Sequence, residues 1–251
     1  MDFAKHAVLV TGASQGIGAA IARRLGEAGA TVAVHYNSNA EGANDVVDHI
    51  VAAGGSAFSV RADLSQRGAG AEIVSHTIDR AGRLDVVVNN AGSMIARRPA
   101  AEVDDDYFDE VINVNLRSAV ATTVAAMPHL ALVGGNVVNV VSVSARTGGG
   151  NGAALYGAAK AALATYTRGL AREVGALGVR ANAVSPGVIE TPFHDRFSTP
   201  ASLDAMRPTV PLGRYGEPSE IAEVVAFLAS NPRSSYLTGQ VVEVNGGMYS
   251  P

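Results

Sequence analysis

A regular alternation governs this chain. Short, almost wholly apolar runs are separated by longer stretches with a helical apolar period. Ala7–Val10, Thr31–Tyr36, Ala57–Val60, Asp85–Val88, Asn136–Val141, Val179–Val184 and Gln240–Val244 read as strands. Helical periodicity spans about 17–28, 40–53, 66–81, 107–132 and 155–177. Strands apolar along their whole length must be covered on both faces, the condition of a parallel sheet. Parallel neighbours need crossover connections, which are right-handed. The expected fold class is α/β: a doubly wound parallel sheet of about seven strands with helices on both faces. No composition break marks a linker, so residues 1–251 are expected to form one domain. Residues 190–214 are Pro-rich and weakly periodic and are expected to form a loop covering the substrate.

Composition narrows the function. Hydrophobic residues make up 47% and charged residues 17%, enough to bury a large core and to exclude wholesale disorder. A net charge of −4 offers no basic surface for nucleic acid. The absence of cysteine excludes disulfides, thiolate metal sites and a cysteine nucleophile. No two of the six histidines stand four apart, and no metal site is expected. The N-terminal apolar run breaks at Thr11-Gly12. Neither a signal peptide nor a membrane span is expected there or later, and the expected location is cytoplasmic.

Three turns at strand ends carry ligand chemistry. Thr11-Gly12-Ala13-Ser14-Gln15-Gly16-Ile17-Gly18 joins the first strand to the first helix. Glycine there lets backbone approach a pyrophosphate seated on the free N–H groups of the helix start. A tight strand-to-helix turn needs glycine in any case. Asp63-Leu64 follows the third strand, where a carboxylate can accept a bond from adenine or cap the next helix. Asn89-Asn90-Ala91-Gly92 follows the fourth. Its small residues allow close contact with a cofactor, and its Asn side chains can tie neighbouring strands. These turns suit a Rossmann-type nucleotide crevice at the strand C-termini. Tyr156 and Lys160 stand four apart on one helix face, fourteen residues beyond Ser142 at a strand end. An ammonium beside a phenol lowers the Tyr pKa from about 10, making Tyr156 an acid–base candidate. Ser142 can hydrogen-bond a substrate oxygen.

With these residues in place the chain resembles the short-chain dehydrogenase/reductase family over nearly its whole length. The carriers are Thr11-Gly12…Gly16-Ile17-Gly18, Asp63-Leu64, Asn89-Asn90-Ala91-Gly92, Asn113-Val114-Asn115-Leu116, Ser142, Tyr156-Gly157-Ala158-Ala159-Lys160, Ser185-Pro186-Gly187 and Asn245-Gly246-Gly247. The resemblance implies a catalytic tetrad of Asn115, Ser142, Tyr156 and Lys160. Tyr156 exchanges a proton with the carbonyl or alcohol oxygen, and Ser142 orients that oxygen. Lys160 holds the nicotinamide ribose and lowers the Tyr156 pKa, while Asn115 holds a water linking Lys160 to solvent. The same resemblance assigns cofactor contacts to Gly12, Ser14, Gln15, Gly16, Ile17, Gly18, Asp63, Leu64, Asn90, Ala91 and Gly92. It places the Pro186-Gly187-Val188-Ile189 backbone and the Thr191 hydroxyl against the carboxamide. Ser144 is the rival for the catalytic serine; with Ser142 in that place, as the Val138–Val141 strand matches, Ser144 lies just beyond, nearer substrate, and Met94, Ile95, Arg97, Arg146, Thr147, Phe193 and His194 shape the pocket.

The implied activity is an NAD(P)(H)-dependent oxidoreductase interconverting a carbonyl and a secondary alcohol, its substrate a small molecule. A 3-oxoacyl-carrier-protein reductase is the alternative within the family. Arg172 offers one basic docking residue for an acidic carrier, but residues 118–145 contain no Lys or Arg. A nucleotide-sensing regulator is a further alternative, although such relatives tend to lose the Ser, Tyr or Lys kept here. For the cofactor, the end of the second strand decides. NAD-users carry Asp or Glu about 20 residues past the glycine turn. Here that place is Tyr36, and His35-Tyr36-Asn37-Ser38-Asn39 contains no carboxylate. Asn37 and Ser38 can donate to a 2′-phosphate, and NADP is expected over NAD. Gln15 stands where many NADP-using relatives carry Arg or Lys, so the preference is expected to be modest. Family resemblance also implies a homotetramer built on the two long helices and the last strand.

Overall fold

In a computed structural model, which describes residues 3–250, seven strands form one parallel sheet. They are β1 (Ala7–Val10), β2 (Thr31–Tyr36), β3 (Ser56–Arg61), β4 (Val86–Asn89), β5 (Asn136–Val140), β6 (Arg180–Pro186) and β7 (Val241–Val244). The spatial order is β3-β2-β1-β4-β5-β6-β7. The winding reverses between β1 and β4, which opens a crevice at their C-terminal ends. The helices are α1 (Gly16–Glu27), α2 (Ala40–Ala52), α3 (Ala69–Ala81), α4 (Asp105–Ile112), α5 (Ser118–Val133), α6 (Ser144–Thr147), α7 (Ala154–Val174), α8 (Pro192–Phe197), α9 (Pro200–Met206), α10 (Pro218–Ala229) and α11 (Asn231–Ser234).

The pleat sends alternate strand residues to opposite faces. Val8 and Val10 join Ile21 and Leu25 of α1, Ile50 of α2 and Ile221 and Val225 of α10 in one core. Leu9, between them, joins Ile73 of α3, Leu130 of α5 and Leu170 of α7 in the other. Asn89 spans strands within the sheet, its Nδ2 donating to Asn139 Oδ1 at 2.8 Å and Thr123 Oγ1 at 2.9 Å. The expected α/β architecture is therefore present, with both faces covered.

Four differences from the sequence reading have local causes. The expected helix 66–81 begins at Ala69, because Gly68 turns left-handed at φ +87° immediately before it. The expected continuous helix 107–132 is α4, a π-turn over Asn113–Arg117, and α5. Asn115 Nδ2 donates to the Val111 carbonyl at 2.9 Å, the acceptor its own main-chain N–H would use in an α-helix. Taken end to end, Asp105–Val133 is long and apolar enough to cross a membrane, which the sequence reading denies to any segment. Here this stretch packs against α3 and α7. The expected loop 190–214 is largely helical: Pro192 and Pro200 open α8 and α9, and Thr199 and Ser202 cap α9 reciprocally. Finally, α10 was not anticipated, although Glu217 and Glu220 form a capping box at its start.

Candidate active site

The glycine turn is a fixed backbone cradle. Gly12 and Gly16 adopt φ +62° and +55°. A Cβ on Gly18 would lie 2.2 Å from the Gly12 carbonyl oxygen and 2.5 Å from Asn90 Nδ2, so no side chain fits. Asn90 Nδ2 donates to the Thr11 and Gly12 carbonyls at 3.0 Å each. The N–H groups of Asn90 and Ala91 both donate to Thr11 Oγ1 at 3.0 Å. On the opposite side the Gly12 N–H donates to His35 Nδ1 at 3.0 Å, and His35 Nε2 reaches the Ala62 carbonyl at 3.1 Å. With Gly12 as donor the ring is neutral and carries its proton on Nε2. Burial pushes the His35 pKa down to about 4. No side chain caps α1, so its first N–H groups stay free for an anion.

At the end of β2, Tyr36 is half-buried while Asn37 and Ser38 are exposed. Asn39 accepts from Gly42 N at 3.1 Å, capping α2, and donates to the Ser14 carbonyl at 3.4 Å. Asp63 caps neither α3 nor any other helix. Its Oδ1 accepts from Ser65 N at 3.0 Å and Ser65 Oγ at 2.7 Å, and the Ser65 hydroxyl is the main reason its pKa lies below the usual carboxylate range. Leu64 is buried in the core. Ser14, Tyr36, Asn37, Ser38, Asp63, Leu64 and Ala91 do not line the cleft; Tyr36 ends β2, and the others stand in the turns that follow β1 to β4.

That cleft, about 440 Å³, joins the glycine turn to Tyr156. Among the expected residues, Gly12, Gln15, Gly16, Ile17, Gly18, Asn90, Gly92, Met94, Ser142, Ser144, Tyr156, Lys160, Pro186, Gly187, Ile189, Thr191, Phe193 and His194 line it. Tyr156 and Lys160 come from one face of α7, and Ser142 follows β5. Lys160 Nζ donates to the Val140 carbonyl at 3.0 Å and lies 5.9 Å from the Tyr156 ring centroid. The expected lowering of the phenol pKa is not seen in the chain by itself. Burial pushes Tyr156 up to about 12 against a hydrogen bond with Ser142 that pulls it down, and burial brings Lys160 down to about 8. Tyr156 is thus protonated at neutral pH, a phenol able to give up its proton within a cleft that also holds a hydroxyl and an ammonium.

Asn115 is fully buried behind Gly92 rather than in the cleft wall. A Cβ on Gly92 would fall 2.7 Å from Asn115 Oδ1 and 2.9 Å from Lys160 Nζ, so the two side chains flank the same glycine. The Asn115 amide is engaged on Ser93, accepting from its N–H at 3.1 Å and donating to its carbonyl at 2.7 Å. Two residues expected to shape the pocket lie elsewhere. Ile95, at φ +63°, packs around Tyr107. Arg146 Nε pairs with Glu243 at 2.9 Å and lies over the Tyr249 ring.

Several lining residues escaped the sequence reading: Ser93, Arg196, Phe197, Met206 and Met248. Phe197 stands one helical turn from Phe193, a spacing that becomes visible once α8 is recognised. His35 also went unassigned, because its role depends on β1 and β3 flanking β2. A nicotinamide dinucleotide fits this cleft. The glycines of the turn leave its backbone uncovered, the α1 N-terminus carries no side-chain cap, and among the described residues no Asp or Glu lines the cleft to repel phosphate.

Comparison with known proteins agrees with this geometry. Residues 12–249 match the family model described as enoyl-(acyl carrier protein) reductase. The chain is 42% identical to the 4-formylbenzenesulfonate dehydrogenase of Comamonas testosteroni, covering 98% of this chain and 99% of that one. A short-chain dehydrogenase from Burkholderia cenocepacia, solved with NADP, superposes with a TM-score of 0.94 at 36% identity over 100% of both chains. An NADH-dependent reductase complexed with NAD superposes with a TM-score of 0.89 at 31% identity, over 100% of this chain and 98% of that one.

Proposed function

We propose that this chain, which belongs to the short-chain dehydrogenase/reductase family of oxidoreductases, interconverts a small carbonyl compound and its alcohol with a preference for NADP(H). The observation that carries the reading is the meeting of Ser142, Tyr156 and Lys160 in the cleft that begins at the glycine turn. Gly12, Gln15–Gly18, Asn90 and Thr191 would hold the dinucleotide along that cleft, with Pro186, Gly187 and Ile189 at its nicotinamide end. When bound, the nicotinamide supplies or takes up a hydride. In reduction, the Tyr156 O–H gives its proton to the substrate oxygen, and Ser142 donates a hydrogen bond to the same oxygen as charge develops. Lys160, as ammonium, steadies the cofactor ribose and lowers the cost of leaving Tyr156 as phenolate. Asn115 holds the chain beneath Gly92, so that the Lys160 side of the cleft keeps its shape. Residues 190–214, as α8 and α9, would cover the substrate. A cytoplasmic homotetramer is the expected working form.

Cofactor choice rests on the β2 end. His35–Asn39 contains no carboxylate to repel a 2′-phosphate, and Asn37 and Ser38 are exposed and able to donate to one. Gln15 supplies no charge, so the preference for NADPH should be about 10- to 100-fold in kcat/KM, or on the order of 1.4–2.8 kcal/mol. The test is oxidation of NADPH and NADH by the purified protein with a panel of ketones, aldehydes, diketones and quinones. Cofactor binding without any turnover across the panel favours a sensor over an enzyme. Equal or better kcat/KM with NADH overturns the cofactor assignment.

A further inference from the structure

We infer that the substrate is an aromatic carbonyl compound, or its alcohol, bearing a carboxylate or sulfonate that Arg97 and Arg196 receive at the mouth of the cleft. This inference rests on the oxidoreductase reading and names its substrate class. Among the described residues no Asp or Glu lines the cleft, whereas Arg97, Arg196 and Lys160 do. Lys160 is taken by the Val140 carbonyl and lies beside Tyr156, so the two arginines are the cations left for substrate.

Some arginines elsewhere in the chain pair with carboxylates, while others, such as buried Arg180, are held by amide and main-chain oxygens. Arg98 pairs with Asp104 at 2.7 Å, Arg83 with Asp85 at 2.6 Å and Arg214 with Glu220 at 2.7 Å. Among the described residues, neither Arg97 nor Arg196 has a carboxylate within ion-pair distance. Arg97 is held in place without being neutralised. Its Nε donates to the Phe197 carbonyl at 2.6 Å and its Nη1 to the Asn151 carbonyl at 2.9 Å. Its Nη2 makes no hydrogen bond among the described residues, so one edge of a positioned guanidinium is available to an oxyanion. The nearby titratable groups are His194, whose pKa is lowered by burial and by the Arg97 charge, and Asp195, which raises it. Asp195 lines a neighbouring cavity with Asp204 and Arg207 rather than this cleft.

The wall between the cations and Tyr156 is apolar and aromatic. Phe193 lies 6.0 Å from Tyr156 and 4.8 Å from Phe197, centroid to centroid, with Met94 in the same cluster. Rings at these separations suit an aromatic substrate body. A carbonyl at Ser142 and Tyr156, a ring against Phe193 and an anion at Arg97 describe one elongated molecule.

The test uses 3- and 4-acetylbenzoate, 4-formylbenzoate and their methyl esters as substrates for the whole protein with NADPH. The esters keep the ring and carbonyl but lose the charge. For the best isomer, kcat/KM should exceed that of its ester by at least about 10-fold, chiefly through KM, and the advantage should shrink as salt is added. Arg97→Gln and Arg196→Gln should each lower the acid-to-ester ratio, Arg97→Gln to near one, with Arg97→Lys restoring part of it. Calorimetric binding of the corresponding alcohols, acid against ester, to the NADP-loaded protein gives the same ratio without chemistry. Equal ratios in wild-type and Arg97→Gln, in either assay, overturn the anion site and leave the oxidoreductase assignment standing. A preference for acid in calorimetry without turnover of any aryl carbonyl overturns the aromatic substrate, and turnover of the wider carbonyl panel then decides the reductase assignment separately. Faster turnover of a 3-oxoacyl group on an acyl carrier protein than of any aryl acid also overturns the proposal.

Discussion

His35 gives the sharpest test of how the strand ends are held together. Its ring is 2% exposed and bridges the Gly12 N–H and the Ala62 carbonyl. Desolvation lowers its pKa from 6.5 to about 4. A base whose folded pKa is depressed contributes stability that is complete above the unfolded pKa. That stability is lost as pH falls from 6.5 towards 4 and is constant below, because only the unfolded chain takes up the proton in that window. Integrating between pH 7.5 and 5.0 gives a loss of about 2 kcal/mol from this one residue. Urea unfolding followed by circular dichroism at the two pH values, in wild-type and His35→Asn, isolates the contribution. His194, whose pKa is also lowered, titrates in both proteins and cancels. The wild-type should lose about 2 kcal/mol more than the variant over the same interval. At pH 7.5 the variant should itself be weaker by about 1–3 kcal/mol, because it leaves the Gly12 N–H or the Ala62 carbonyl without its partner. Its KM for the dinucleotide should rise with the loosened turn. A pH dependence equal in the two proteins would refute the bridge as a neutral, buried imidazole.

Further expectations follow from the same geometry. Tyr156→Phe should lower the reduction rate by about 10²-fold or more while NADPH binding, read by fluorescence, stays within a few-fold of wild-type; retention of a tenth of the rate would remove the proton from Tyr156. Tyr36→Asp should reverse the cofactor preference, measured as the ratio of kcat/KM with NADPH and NADH, and an unchanged ratio would locate the discrimination elsewhere. Gly18→Ala should lower stability by about 1–3 kcal/mol or more and abolish dinucleotide binding, because its Cβ would lie 2.2 Å from a main-chain oxygen. Thermal melts and dye displacement read both effects, and a wild-type-like alanine variant would show that the turn can yield.

The seven apolar runs were enough to reach a doubly wound parallel sheet, since an all-apolar strand has only one way to hide both faces. The motif spacings likewise located Ser142, Tyr156 and Lys160, because each sits at a strand end or on one helix face, where sequence separation converts directly into geometry. What local pattern cannot carry is contact between distant segments and the balance of competing terms. Helices as short as α8 and α9 leave too few residues for a period, so residues 190–214 read as a loop in sequence. Arg146 and Arg97 look alike in sequence, yet Glu243 of β7 reaches one, and among the described residues the other donates to main-chain carbonyls. The Tyr156 pKa is set by burial against the Ser142 hydrogen bond, and burial is a property of everything packed around the ring. His35 is one more residue of an apolar strand until β1 and β3 flank it. Tertiary packing then removes its water, supplies a donor on one side and an acceptor on the other, and turns a titratable side chain into a neutral brace.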